Sequence, residues 1–189
     1  NGNRLRTTIL TAIDSVRQRL FWRAFSAFLF FVNTLLKCNA RFQTITEPFR
    51  VYSDGPITTL FEEFSTGVEL NNLETREERV ALWQEPGFRE RFKTEWVVGK
   101  HATSPRDFGL IRVIACPQKQ WVGKTVHDVA SLWGKTPIDT FAELLETYDT
   151  DFRWVVFGGN DRLEQRLSLM GHPEIHPGFT DAGAHNRNM

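Results

Sequence analysis

The stretch from His172 to Met189 gathers more side chains capable of chemistry than any other part of the sequence: His172, His176, Asp181 and His185. A strand-like run, Ile175–Thr180, leads Asp181 into a turn of very small residues, Ala182-Gly183-Ala184. A carboxylate at the end of a strand and beside glycine sits where an α/β barrel puts its catalytic groups. Such an acid can hold a metal-bound water and take its proton. The simpler alternative is an aspartate that caps the following turn with its side-chain oxygen. His172 and His176 are each followed by proline, so they cannot share a helix face as a His-Glu-x-x-His zinc pair does, and they read as structural. His185 lies nearer Asp181 and stands evenly between a pocket role and a structural one.

Other candidates resolve to quieter readings. Cys116, before Pro117, and Cys38 lack a histidine at a diagnostic spacing and read as small buried hydrophobes. Gly158-Gly159-Asn160 at a strand end lacks the lysine of a phosphate loop and reads as a strand-to-helix turn, with Asn160 capping a helix over Asp161–Met170. The tryptophans and phenylalanines have no regularly interleaved basic residues, so they read as core and not as a stacking platform.

The elements that must position these residues follow from periodicity. Ile9, Ala12, Ile13, Val16 and Leu20 recur at helical spacing and predict a helix over Thr8–Leu20. Ala24–Leu36 is almost wholly apolar; at 1.5 Å per residue it reaches roughly 20 Å, short of the ~30 Å hydrocarbon core, so it reads as a buried or partner-facing helix and not a membrane span. Asn39–Asp54 is mixed and broken by Pro48. A helix is expected over Pro56–Phe64, closed by Gly67. Thr75 with Glu78 three residues on forms a capping box for Glu77–Gln84, and Pro86-Gly87 separates that helix from Phe88–Trp96. Leu110–Ala115 reads as a strand, and Val126–Trp133 and Ile138–Tyr148 as helices. Arg153–Phe157 and Ile175–Thr180 are expected to be adjacent parallel strands joined by the intervening helix.

Four segments carry a resemblance. Thr180-Asp181-Ala182-Gly183-Ala184-His185 is similar to the Ser/Thr-Asp-Ala/Gly-Gly-Ala-His signature of the N-acyl-D-amino-acid deacylase branch of the amidohydrolase superfamily. Arg79…Leu82-Trp83-Gln84-Glu85-Pro86-Gly87-Phe88-Arg89-Glu90-Arg91 resembles a charged helical insertion that packs near the barrel mouth there. Gly123-Lys124-Thr125-Val126-His127-Asp128-Val129-Ala130 and Gly134-Lys135-Thr136-Pro137-Ile138-Asp139 follow a cadence of the same family. The resemblance covers roughly residues 56–189. It implies an α/β fold, the last strands and helices of a TIM-type (β/α)8 barrel with a helical insertion. It also implies a zinc-dependent hydrolase acting on carbon–nitrogen bonds other than peptide bonds, with an N-acyl-D-amino acid as substrate. Asp181 would then be the general acid/base on a zinc-bound water and a possible zinc ligand, and His185 a substrate contact. The family's His-x-His pair has no counterpart in this sequence, and residues 1–45 depart from the family as a divergent, helical, Phe-rich segment. The chain thus reads as a single partial amidohydrolase domain. The alternative is a non-catalytic remnant or interaction module, associating with itself or with a missing barrel half through the Phe-rich segment.

Bulk properties set the frame. The 189 residues are enough for one sizeable core. Lys and Arg number 23 and Asp and Glu number 23, with no basic stripe, which argues against nucleic acid as a partner. Two cysteines are too few for a disulfide framework and fit a reducing, cytoplasmic setting; no secretory leader is readable.

Overall fold

A computed structural model describes residues 6–98 and 106–178. In chain order the elements are β1 (Arg6–Ala12), α1 (Trp22–Phe30) running into a π-helical turn (Phe31–Leu35), β2 (Asn39–Thr44), β3 (Phe49–Asp54), a 3-10 turn (Thr59–Glu63), α2 (Ser65–Asn71), α3 (Arg76–Gln84), α4 (Phe88–Val98), β4 (Ile111–Ala115), α5 (Val126–Trp133), α6 (Pro137–Tyr148), β5 (Arg153–Gly159), α7 (Leu163–Met170) and β6 (Ile175–Pro177). The fold is mixed α/β, with two three-stranded sheets ordered β1-β2-β6 and β3-β5-β4 and no closed barrel among the described residues. It divides into two compact units, one of residues 6–50 with 157–178 and one of residues 51–156.

The first unit is built on a parallel sheet. β1 pairs with β2, Arg6 opposite Asn39 through Ile9 opposite Phe42, with a register shift before Ala12 meets Thr44. β2 pairs with β6, Phe42 opposite Ile175 and Thr44 opposite Pro177. Parallel strands need a crossover, and α1 provides it between β1 and β2. Phe25 and Leu29 of α1 pack with Phe42, Ala40, Ala12, Leu169 and Ile175 into one buried cluster. The Phe25 and Phe42 rings meet edge to face at 5.0 Å.

Two expectations are corrected here. The helix predicted over Thr8–Leu20 is the strand β1 followed by turns, so residues 1–45 are not simply a helical segment: their described part is strand, helix, strand. Thr7, Thr8, Ile9 and Thr11 are β-branched; they lose side-chain freedom in a helix and fit a pleated strand, and pairing with β2 outweighs the three-and-four spacing. The expected pairing of Arg153–Phe157 with Ile175–Thr180 does not form either: β5 lies beside β4, antiparallel, while β6 lies beside β2. Succession along the chain suggested the pairing, but Phe42, whose ring needs Ile175 beside it on the covered face, makes β2 the better neighbour.

The second unit is held by rings. Phe61 contacts Phe92, Trp96, Phe141 and Trp154, and Phe141 in turn contacts Trp96 at 5.1 Å and Trp154 at 5.3 Å. Such pairs add roughly 0.5–1.5 kcal/mol each beyond the area they bury. β4 and β5 pair antiparallel, Val113 opposite Trp154. The Thr75–Glu78 capping box forms as the sequence predicts, and Thr125 with Asp128 forms a second at the start of α5. Gly67 does not close a helix; it lies inside α2, where a Cβ would stand 2.3 Å from the Phe61 carbonyl oxygen. No helix of the described residues is long and apolar enough to cross a membrane.

Candidate functional site

Because β1, β2 and β6 run parallel, their C-terminal ends, Ala12, Thr44 and Pro177, share one edge of the sheet. Ligand and catalytic sites of parallel α/β sheets form outside this edge. The Thr44 hydroxyl donates to the Ala12 carbonyl at 2.8 Å, and the Gly178 amide donates to the Thr44 carbonyl at 3.2 Å, which ties the three strand ends together.

A buried polar frame stands next to this edge. Asp14, two residues past β1, is fully buried. Its backbone amide donates to Asn160 Oδ1 at 2.9 Å, and the Asn160 amide donates to the Asp14 carbonyl at 2.8 Å. Asn160 Nδ2 donates to the Ile45 carbonyl at 2.9 Å, so one side chain bridges the segments that follow β1 and β2. Asn160 holds this position with φ of 55°, a left-handed conformation that asparagine tolerates better than most residues. Gly159 allows the approach: a Cβ there would lie 2.7 Å from the Asp14 carbonyl oxygen.

The Asp14 carboxylate is taken up by a guanidinium. Arg162 Nε donates to Oδ2 at 2.8 Å, its Nη2 donates to Oδ1, and the same Nη2 reaches the Arg19 carbonyl. Hydrogen bonding to Asp14 holds the Arg162 pKa above its usual value. Arg19 closes the frame by a two-pronged pair with Asp161, at 2.7 and 3.1 Å. Burial pushes the Asp161 carboxyl up, but the hydrogen bond and charge of Arg19 outweigh it and leave Asp161 below its ordinary value. With both carboxylate oxygens occupied by one guanidinium, Asp14 anchors the edge.

Asp181 and His185 lie outside the described residues. His172 is in the turn between α7 and β6, where its Nδ1 accepts from the Glu174 amide at 3.2 Å, in keeping with a structural role. His176 lies in β6 opposite Gln43; since Ile175 points into the core with Phe42, alternation turns His176 to the other face of the sheet. Its Nε2 is buried and has no hydrogen-bond partner among the described residues. Cys116 is buried, and burial raises its thiol pKa, the opposite of an activated nucleophile; Cys38 is exposed.

The sequence reading missed Asp14 and Arg162 and took Asn160 for a helix cap. α7 starts at Leu163 with no side-chain cap, and Asn160 bonds to β1 and β2 segments instead. The available signal was Gly158-Gly159-Asn160 itself: two glycines before an asparagine mark close backbone approach. Among the described residues no group of three or more His, Cys, Asp or Glu side chains could hold a metal ion. In the second unit a cleft of about 1060 Å³ is lined by Asp54, Asn71, Asn72, Glu74, Arg79 and Arg153 among others. Its guanidiniums are already paired, Arg79 with Asp149 and Arg153 with Asp54.

Comparison with known proteins finds long relatives. Over 188 residues, 98% of the chain, it is 33% identical to an uncharacterized protein of Mycobacterium bovis, and equally to uncharacterized proteins from two strains of Mycobacterium tuberculosis. The match takes up 31% of each relative, so the chain spans about a third of the length of the curated relatives it matches. No family model matches the chain, and no solved structure matches it.

Proposed function

We propose that this chain is the closing portion of a (β/α)8-type amidohydrolase that hydrolyses the amide bond of N-acyl-D-amino acids, with Asp181 as the general acid/base and His185 beside the substrate. The observation that carries the reading is the all-parallel β1-β2-β6 sheet with α1 crossing between β1 and β2 and with α7 before β6. β1-α1-β2 is the repeating unit of a barrel and β6 extends its sheet in parallel. Asp181 comes four residues after β6 in sequence, and barrels carry catalysis in the segments that follow their strands. The Thr180–His185 signature supplies the reaction class by resemblance.

In this reaction Asp181 takes a proton from the water that adds to the acyl carbon. The tetrahedral species then collapses with cleavage of the carbon–nitrogen bond, and Asp181 returns the proton to the leaving amine. The products are a carboxylate and a free D-amino acid. The Asp14–Asn160–Arg162 frame acts as a positioning element, fixing the segments that follow β1 and β2, of which β2 is the strand beside β6. The described residues do not fit a zinc ion. Both Asp14 oxygens are held by Arg162, His172 Nδ1 accepts a backbone amide, and catalytic zinc requires three protein ligands with an open position. Free thiols at Cys38 and Cys116 support a cytoplasmic setting.

The test is a chimera in which this chain replaces the matched segment of the M. tuberculosis relative, assayed against a panel of N-acetyl-D-amino acids and their L-isomers. Hydrolysis confined to D-isomers supports the proposal. Absence of hydrolysis of any panel member by a folded chimera overturns it.

A further inference from the structure

α1 buries one stripe, Phe25 and Leu29, and leaves another half exposed, although Phe21 leans on Phe25 and Phe28 on Phe42. Phe21, Ala24, Phe28 and Phe31 follow one another at three- and four-residue spacing and are all exposed, the three rings at 49%, 44% and 49%. Apolar residues at that spacing are the seam one amphipathic helix presents to a second. Leu20, Phe30, Leu35 and Leu36 widen the apolar surface. At the seam's N-terminal end a shallow recess of about 500 Å³, lined by Gln18, Arg19, Leu20, Phe21 and Ala24, has room for an incoming side chain. β1 alongside pairs with β2 on one edge and has no strand on its other edge among the described residues; Thr7, Thr8 and Leu10 are exposed. Parallel strands are ordinarily covered on both faces, and exposed apolar patches of this kind mark association.

The charges around the seam select among occupants. Between Asp14 and Glu47 the sequence holds no acidic residue. Arg19 and Arg41 are paired with Asp161 and Glu174, whereas Arg23 and Lys37 have no ion pair among the described residues. Arg23 lies at one end of the seam and Lys37 beyond the other, so two copies packed through it would oppose cation to cation in either direction. A helix with carboxylates along its flanks meets no such penalty. The mycobacterial relatives also carry more than twice as much chain outside the matched segment as within it, since the match is 31% of their length.

We propose that the seam of Phe21, Ala24, Phe28 and Phe31 docks an acid-flanked amphipathic helix of a neighbouring βα unit, drawn from the kind of polypeptide the longer relatives hold outside the match, with the strand of that unit extending the parallel sheet at β1. The inference rests on the barrel reading above and adds to it the surface and the chemistry of the partner.

The experiment mixes this chain with the polypeptide of the M. tuberculosis relative lying outside the matched segment and follows them by sedimentation velocity over a range of salt. A one-to-one complex that weakens with salt is expected. Phe31→Asp should weaken it about tenfold or more, as for a central apolar contact, while circular dichroism stays unchanged because the ring is half exposed. Lys37→Glu should weaken it at low salt and much less at high salt. Failure of the wild-type chain to bind, or equal binding by Phe31→Asp, overturns the proposal. So does a wild-type chain that dimerises with itself through this face, or that binds phosphatidylglycerol vesicles and not the polypeptide. A complex that forms but hydrolyses no N-acyl-D-amino acid upholds the seam and removes the activity. Hydrolysis unaffected by Phe31→Asp upholds the activity and removes the seam.

Discussion

Asn160 and Asp14 clasp each other through two hydrogen bonds, Asp14 N–H to Asn160 Oδ1 at 2.9 Å and Asn160 N–H to the Asp14 carbonyl at 2.8 Å, between residues that are both fully buried. The second bond is backbone to backbone, so it depends on the left-handed turn at Asn160 as much as on its amide.

Replacing Asn160 by alanine strands the Asp14 amide and the Ile45 carbonyl, each worth roughly 1–3 kcal/mol when buried without a partner. It also places a residue with a poorer tolerance at positive φ, adding about 1 kcal/mol. Asn160→Ala should therefore lower stability by about 3 kcal/mol or more, and Asn160→Gly by less. Urea unfolding of both variants checks this; equal losses would remove the backbone contribution.

In the second unit Arg79 grips Asp149, Nε to Oδ1 at 2.7 Å and Nη2 to Oδ2 at 2.8 Å, and its Nη1 donates to the Leu73 carbonyl. Arg79 is 5% and Asp149 2% exposed. Breaking a pair this buried leaves one charge alone and typically costs about 3–5 kcal/mol. Arg79→Met should show that loss in chemical denaturation, whereas Arg76→Met, removing the exposed partner of Asp151, should change stability by well under about 1 kcal/mol.

Acid should act on the Lys93–Asp139 pair, 2.7 Å apart. The hydrogen bond from Lys93 lowers the Asp139 pKa, and the same bond raises that of Lys93. A depressed carboxyl contributes stability that is complete above its unfolded value of about 3.9 and is lost as pH falls through the folded value. The raised lysine contributes stability that is complete below its unfolded value of about 10.4 and is lost as pH rises through the folded one. Asp139→Asn should therefore be less stable than wild type near neutrality, and the two should converge in acid. A gap that stays constant down to strongly acid pH would contradict this.

Much of the secondary structure was legible where local chemistry decides it. The Thr75–Glu78 box, the helix Val126–Trp133 and the strand beginning at Arg153 follow from caps, spacing and β-rich composition, and form as read. Long-range pairing was not legible. Thr8–Leu20 satisfies a helical spacing, and only contact with β2 turns Arg6–Ala12 into a strand. The partner of β6 lies more than a hundred residues upstream, and nothing local to Ile175 names Phe42. At the site, Asp181 stood out by its neighbours in sequence, whereas Asp14 is recognisable only once Asn160 and Arg162 have folded onto it.

Zinc retention separates the described residues from the rest of a metal centre. The sequence holds no His-x-His pair, and catalytic zinc takes three protein ligands, so the isolated chain should keep far less than one equivalent of zinc after dialysis against a mild chelator. Elemental analysis giving a tightly held stoichiometric ion would bring His172 and His176 back as ligands.

The most direct measurement is turnover of N-acyl-D-amino acids by the chimera with Asp181 intact and with Asp181→Asn. Asparagine keeps the size and the carbonyl oxygen but cannot take a proton, and it caps a turn well, so packing is preserved. If Asp181 moves the proton, the substitution should lower turnover by about 10²–10⁴ with the melting temperature essentially unchanged. Near-normal turnover by Asp181→Asn would take Asp181 out of the reaction and contradict the proposed function.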